Sequence, residues 1–150
     1  MDGVQYTTGD LSDHEGIAAV IRDEQERILM QDHVKYGFWT IPVGKAEPGQ
    51  TPRDALVKEV EEECGIRVLE ARQVAERKYE YTRNGRAVRM VLHAFSVDRW
   101  SGIPRNNEPH KHRTLTFLTV DEILRLPYLS DATLLFLGTL GRARPARLGA

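Results

Sequence analysis

The stretch from Gly44 to Ile66, GKAEPGQTPRDALVKEVEEECGI, constrains the fold more than any other part of the chain. It begins as a Gly/Pro-rich loop and becomes a helix at Thr51-Pro52, because threonine caps a first turn and proline fits the first helical position, where no N–H is required. Asp54, three residues after Thr51, completes a start of the capping-box kind. Gly65 stands where helices commonly end in a left-handed residue, so the spacing predicts a helix over residues 52–64. On a wheel of about 100° per residue with Leu56 at zero, Glu63 falls near about −20°, Glu59 near about −60° and Glu62 near about −120°. Val60, Cys64 and Val57, at about +40°, +80° and +100°, form an apolar stripe beside this acidic face, while Glu61 points away at about +140°.

Carboxylates crowded at spacings of three and four residues repel one another and weaken a helix. A hard divalent cation offsets that repulsion best, and Mg²⁺ in particular takes carboxylate, water and phosphate oxygens, with Mn²⁺ as a substitute. An acidic, solvated helix face is the ordinary explanation of an EEE run. The flanking glycines, the cap and the register favour a metal site here.

These residues resemble the signature of the Nudix hydrolases: Gly, five residues, Glu, seven residues, then Arg-Glu-apolar-any-Glu-Glu-any-Gly-apolar. The chain supplies Gly44, Glu59, Val60, Glu62, Glu63, Gly65 and Ile66 at the required spacing, and departs at Gln50 for the first Glu and Lys58 for the Arg. The resemblance implies an α+β chain with the Nudix fold, an α/β/α sandwich whose mixed β-sheet lies between helices. It also implies a Mg²⁺-dependent hydrolase of a diphosphate linkage in a nucleoside triphosphate or other nucleoside diphosphate derivative.

Breaking a diphosphate requires a placed water and neutralised phosphate oxygens, work that a carboxylate-bound Mg²⁺ shares. Glu62 and Glu63 are the candidate metal ligands, and the family pattern adds the main-chain carbonyl of Val43. Glu59, one turn before Glu63, is a further ligand or the base that takes the water's proton. Lys58 precedes Glu62 by one turn and pairs with a helix carboxylate without the bidentate fork of an arginine. Lys45, directly after the loop glycine, is a candidate catalytic and substrate-binding contact to phosphate. Gln50 lies where the family's glutamate would face the cluster, and its lack of charge predicts weaker metal binding.

Outside this stretch, the segment containing Asn107, Glu108, Pro109 and Lys111 resembles the N-x-E-P-x-K segment of some Nudix nucleoside triphosphate pyrophosphatases. Glu108 is thereby a candidate for the extra metal carboxylate, with a solvated loop acid as the alternative, and Asn107 is a candidate substrate contact. His110 and His112 flank Lys111 with no Cys or Asp partner, and are read as surface residues rather than a zinc pair. Tyr36, Phe38 and Trp39 precede the loop; Phe38 and Trp39 are candidates to stack on a base, with core packing the alternative for each. Cys64, near a helix C-terminus, is a packing residue, because the helix dipole there disfavours a thiolate.

With 150 residues, 41% of them hydrophobic, the chain is expected to form one domain over 1–150, with a flexible arm at 1–12 and a flexible tail at 141–150. A formal charge of −1 predicts no general nucleic-acid or membrane binding, so the expected partner is a small nucleotide held through metal, with a homodimer left open. A single cysteine and the absence of a leader-like or spanning apolar run point to the cytoplasm.

The remaining elements read in order. Gly16–Arg22 and Arg27–Val34 are predicted to pair as a hairpin across a polar turn, followed by an aromatic-rich strand from Tyr36 to Pro42. Asn84-Gly85 predicts a tight turn that folds Arg86–Val97 back on the preceding strand. A polar loop from Trp100 to His112, a strand at Thr114–Val120, a short helix at Asp121–Leu126 and a final helix capped by Ser130 complete the chain, with Leu134, Leu135 and Leu137 expected to pack inward. A module that binds nucleotide without turnover is the alternative function, kept open by Gln50 and Lys58.

Overall fold

The computed structural model describes residues 13–142, so the expected arm and residues 143–150 of the expected tail lie outside it. Ten elements follow in order: β1 (His14–Ile21), β2 (Ile28–His33), β3 (Trp39–Thr40), β4 (Val43–Lys45), α1 (Pro52–Cys64), β5 (Arg67–Arg83), β6 (Arg86–Ser101), β7 (His112–Leu118), α2 (Val120–Leu124) and α3 (Asp131–Thr139). Helix α1 has the predicted bounds. Thr51 Oγ1 accepts from the Asp54 N–H at 3.1 Å, the Asp54 carboxylate accepts from the Thr51 N–H at 3.4 Å, and Gly65 closes the helix at φ 70°.

A mixed sheet in the order β4-β1-β6-β5 forms the centre, with β1 parallel to β6 and the other pairs antiparallel. A second, antiparallel sheet has the order β3-β2-β7. The predicted β1–β2 hairpin is therefore not made. Its two strands enter different sheets and meet only at the single bridge Arg22–Ile28. The physical reason is visible in β1, where Gly16 to Ile21 are all buried: such a strand needs neighbours on both edges and a layer on both faces. The turn instead closes on itself, with Asp23 Oδ1 accepting from the N–H groups of Gln25 and Arg27, both at 2.9 Å.

Alternate residues of β1 separate two cores. Ile17, Ala19 and Ile21 pack with Leu56, Val60 and Cys64 of α1, whereas Ala18 and Val20 pack with Ile123 of α2 and Phe136 and Leu137 of α3. This alternation gives the helix–sheet–helix layering expected of the fold. In α3 the inward residues are Ala132, Thr133, Phe136 and Leu137; Leu134 is exposed, contrary to expectation, because it lies on the opposite side of the helix. The β5–β6 turn is as predicted, with Asn84 and Gly85 both at positive φ, 52° and 73°, the pair a twisted two-residue hairpin requires. The aromatic strand shortens to Trp39–Thr40, since Gly37 turns the chain at φ 69°. Among the described residues no helix is long and apolar enough to cross a membrane.

Candidate active site

Strand β4 carries the loop glycine beneath α1, through the pairing of Gly44 with Ile17 of β1. Glu59 lies directly against it: a Cβ on Gly44 would stand 2.4 Å from Glu59 Cγ and 2.7 Å from Cδ. Glu63, one turn later, is 5% exposed, and its Oε2 has no hydrogen-bond partner. Burial, followed by the charges of Glu59 and Glu108, pushes the Glu63 carboxyl up from 4.5 to about 9. Burial likewise raises the Glu59 carboxyl, helped by Glu62 and Glu108. Glu62 is exposed and faces Lys58 Nζ at 3.9 Å, a solvated pair worth at most about 1 kcal/mol. Glu61 is exposed, as its place on the wheel required. Cys64 is fully buried and burial raises its thiol, in keeping with a packing role.

The loop between β6 and β7 brings the fourth acid to this face by capping the end of α1. The Arg105 N–H donates to Cys64 O at 2.8 Å and the Asn107 N–H to Glu63 O at 3.2 Å, satisfying last-turn carbonyls. Glu108 is thereby set beside Glu63, and Lys111 Nζ holds Glu108 Oε2 at 3.0 Å. The asparagine that shapes the loop is Asn106, which begins the N-x-E-P-x-K segment. Its Nδ2 donates to His112 O at 2.6 Å, and its Oδ1 accepts from the Glu108 N–H at 3.3 Å. Asn107 itself lies over Gly65 at the end of α1, contributing its backbone to the helix cap.

His112 corrects the surface reading: it is 2% exposed, whereas His110 is exposed. Its Nε2 lies 3.9 Å from Glu63 Oε1, its Nδ1 has no partner, and burial lowers its pKa. A register shift in the β2–β7 ladder leaves Arg113 unpaired and sets His112 opposite His33, with the two rings edge-on at 5.2 Å. The sole trace of this in the sequence is its position immediately after Lys111. Glu63, Glu108 and His112 each offer a donor atom, all within 4.8 Å of one another. Two carboxylates and an imidazole, together with the orphaned Glu63 Oε2, fit a divalent cation.

On the other side of Gly44 opens a cleft of about 350 Å³ lined by residues including Phe38, Val43, Lys45, Tyr81, Met90 and Asp131. Tyr81 Oη donates to Asp131 Oδ2 at 2.8 Å at its wall. Trp39 packs against the second core and is not part of this lining. Gln50 is occupied elsewhere: its Oε1 accepts from the Glu47 N–H at 2.8 Å and its own N–H donates to Glu47 O at 3.0 Å, closing the loop ahead of α1.

A model of the NUDIX domain matches residues 13–135. The chain is 32% identical over 136 residues to the CTP pyrophosphohydrolase of Escherichia coli, covering 89% of this chain and 95% of that protein. The 8-oxo-dGTP diphosphatase of Escherichia coli is 31% identical over 109 residues, covering 69% of this chain and 81% of the relative. Among solved structures, a MutT NUDIX hydrolase from Burkholderia pseudomallei superposes with a TM-score of 0.74 at 28% identity, covering 86% of this chain and 98% of the other. The Escherichia coli ORF135 protein superposes at 0.68 with 31% identity, over 95% and 100% of the two chains.

Proposed function

The chain belongs to the Nudix family and is a Nudix hydrolase, and from that premise we propose that it cleaves a diphosphate linkage of a nucleoside triphosphate, or of another nucleoside diphosphate derivative, with a divalent cation. The observation that carries this reading is Glu63, a buried carboxylate with an unpartnered oxygen, converging with Glu59 and Glu108 one strand away from an apolar cleft. A buried charge of this kind is costly unless something of opposite sign meets it.

Glu63 and Glu62, with Glu108 and the Val43 carbonyl, would hold the cation. When bound, a Mg²⁺ or Mn²⁺ ion there supplies neutralising charge to the phosphate oxygens and lowers the pKa of a bound water. Glu59 takes the proton of the attacking water, a task for which its raised pKa brings it closer to neutral pH. The water oxygen bonds to phosphorus, the anhydride P–O bond breaks, and the electron pair leaves on the phosphate or nucleotide oxygen. Lys45 lines the cleft beside Gly44, where an ammonium group meets phosphate charge. Phe38, in the same lining, offers a ring face to the base.

The names of the relatives put CTP and oxidised deoxyguanosine triphosphate first in a substrate panel. Turnover should yield nucleoside monophosphate and pyrophosphate, depend on Mg²⁺ or Mn²⁺, and fail in Glu63→Gln. Absence of metal-dependent cleavage across nucleoside triphosphates, diphosphate sugars and dinucleotides would overturn the reading.

A further inference from the structure

We propose that His112 is itself a metal ligand, supplying an imidazole nitrogen to the cation held by Glu63 and Glu108, so that this site prefers first-row transition dications such as Mn²⁺ to Mg²⁺. The inference rests on the reading of the acidic cluster as the metal site and extends it to a donor that lies outside the signature stretch.

Three observations carry it. First, the buried side-chain atoms found without a hydrogen-bond partner among the described residues are Gln31 Oε1, Glu63 Oε2 and His112 Nδ1. They belong to one layer, since Gln31 Nε2 reaches only the sulfur of Cys64, the residue after Glu63, at 3.9 Å. Unpaired buried polar atoms are expensive to leave, and Glu63 Oε2 in particular points to an absent partner, on a carboxylate to which His112 turns its other nitrogen, Nε2. Second, 3.9 Å between His112 Nε2 and Glu63 Oε1 is too long for a hydrogen bond, yet it suits two donors on either side of one ion, each at about 2.0–2.2 Å. Third, the backbones that carry the donors are tied together by one hydrogen-bond network, so the cluster is held before any ion arrives. The Asn107 N–H holds Glu63 O, the His112 N–H holds Glu108 O at 2.9 Å, and Asn106 holds His112 O.

His93 is the internal comparison. It is also buried, but its ring nitrogens are satisfied by Gln73 at 3.0 Å, Glu15 at 3.1 Å and Glu76 at 3.3 Å, as expected of a histidine serving the core. His112 has no such set. Imidazole nitrogen suits the later first-row ions best and Mg²⁺ least; Mn²⁺, itself an oxygen-binding ion, accepts nitrogen more readily than Mg²⁺ and shows the tilt at its smallest.

The test is pulsed electron paramagnetic resonance on the full-length protein loaded with Mn²⁺, alongside Mn²⁺ and Mg²⁺ binding titrations. Nitrogen coupling should appear in the wild type, change with ¹⁵N-histidine labelling, survive in His33→Gln and vanish in His112→Gln and His112→Asn. The Mn²⁺ dissociation constant should rise in the His112 variants by a larger factor than that for Mg²⁺. Mn²⁺ bound without nitrogen coupling, or equal loss of both ions, would overturn the inference. If Glu63→Gln then abolished Mn²⁺ binding, the acidic metal site would stand and only His112 would fall. If Glu63→Gln left binding intact, the reading of the cluster would fall as well. Should the His112 variants not fold, the labelling experiment on wild-type protein decides.

Discussion

Gly44 and Glu59 occupy mutually exclusive space: the glutamate's Cγ lies 2.4 Å from where a glycine Cβ would be. Gly44 is not among the residues at positive φ, so its requirement is steric rather than conformational. Gly44→Ala should therefore force Glu59 out of its rotamer at a cost of about 1–3 kcal/mol. The expected outcome is a lower melting temperature and a fall in turnover while CD shows the fold retained. Wild-type turnover in Gly44→Ala would show that Glu59 is not needed where it sits.

The glutamates of α1 separate by the face of the helix they occupy, and the two faces should respond differently. Glu62→Gln and Glu63→Gln are expected to reduce turnover by roughly 10²–10³-fold, the scale of removing one preorganised electrostatic stabiliser. Glu61→Gln, exposed on the same helix, should leave both turnover and metal affinity near wild type. Steady-state kinetics with a magnesium titration distinguishes them.

Glu63 also predicts a pH-dependent stability in metal-free protein. Its folded-state pKa is raised from 4.5 to about 9, so the stability it contributes is complete below pH 4.5 and is lost as the pH rises through about 9. The melting temperature in chelator should consequently fall from pH 5.5 to pH 9. Glu63→Gln should flatten that decline, and added Mn²⁺ should reverse it in the wild type alone.

Glu108 is the acid that only the fold brings into place. Glu108→Gln should raise the metal concentration needed for half-maximal activity, because it removes a charge beside Glu63 and frees Lys111, whose ammonium it pairs at 3.0 Å. Unchanged metal dependence would make that pair a loop clasp and nothing more.

For Gln50 the structure alters the expectation. The oxygen that accepts the Glu47 N–H is retained in Gln50→Glu and absent from Gln50→Ala. The alanine variant should thus lose about 0.5–1.5 kcal/mol through the loop. The glutamate variant should keep wild-type stability and shift the metal dependence little, since the side chain is turned toward Glu47. A marked gain in metal affinity on Gln50→Glu would show that the residue swings to the cluster.

Local chemistry was legible in the sequence, and long-range partnership was not. Thr51, Pro52, Asp54 and Gly65 determine the ends of α1 by contacts within a few residues, as do Asn84 and Gly85 for their turn. The same locality made the acidic face readable from one helical register. By contrast, β1 and β2 look like hairpin partners because only a short polar turn separates them, but β1's two buried faces commit it to β6 and β4. His112 was misplaced for a related reason. The first residue of a strand reads as a loop-end polar group, and its burial depends on the register shift that leaves Arg113 unpaired in β7 and sets His112 opposite His33 of β2, a strand far away in sequence. Asn106 was passed over in favour of its neighbour although the N-x-E-P-x-K spacing begins at Asn106, and the hydrogen bonds of Asn106 agree with that spacing.

The parallel pairing of β1 with β6, from His14 with Met90 to Ile21 with Val97, also divides the fold into local and distant contacts. Helix α1 and the β5–β6 hairpin are local and need nothing distant to begin forming, whereas the central sheet closes only when the chain's first described strand meets one more than half its length away. Such non-local closure is slow compared with helix and hairpin formation. The glutamates of α1 thus lie between the two halves that the sheet joins, and Glu108 reaches them only through the loop that follows β6 and caps the helix end, so the site is complete only where both halves of the chain have met.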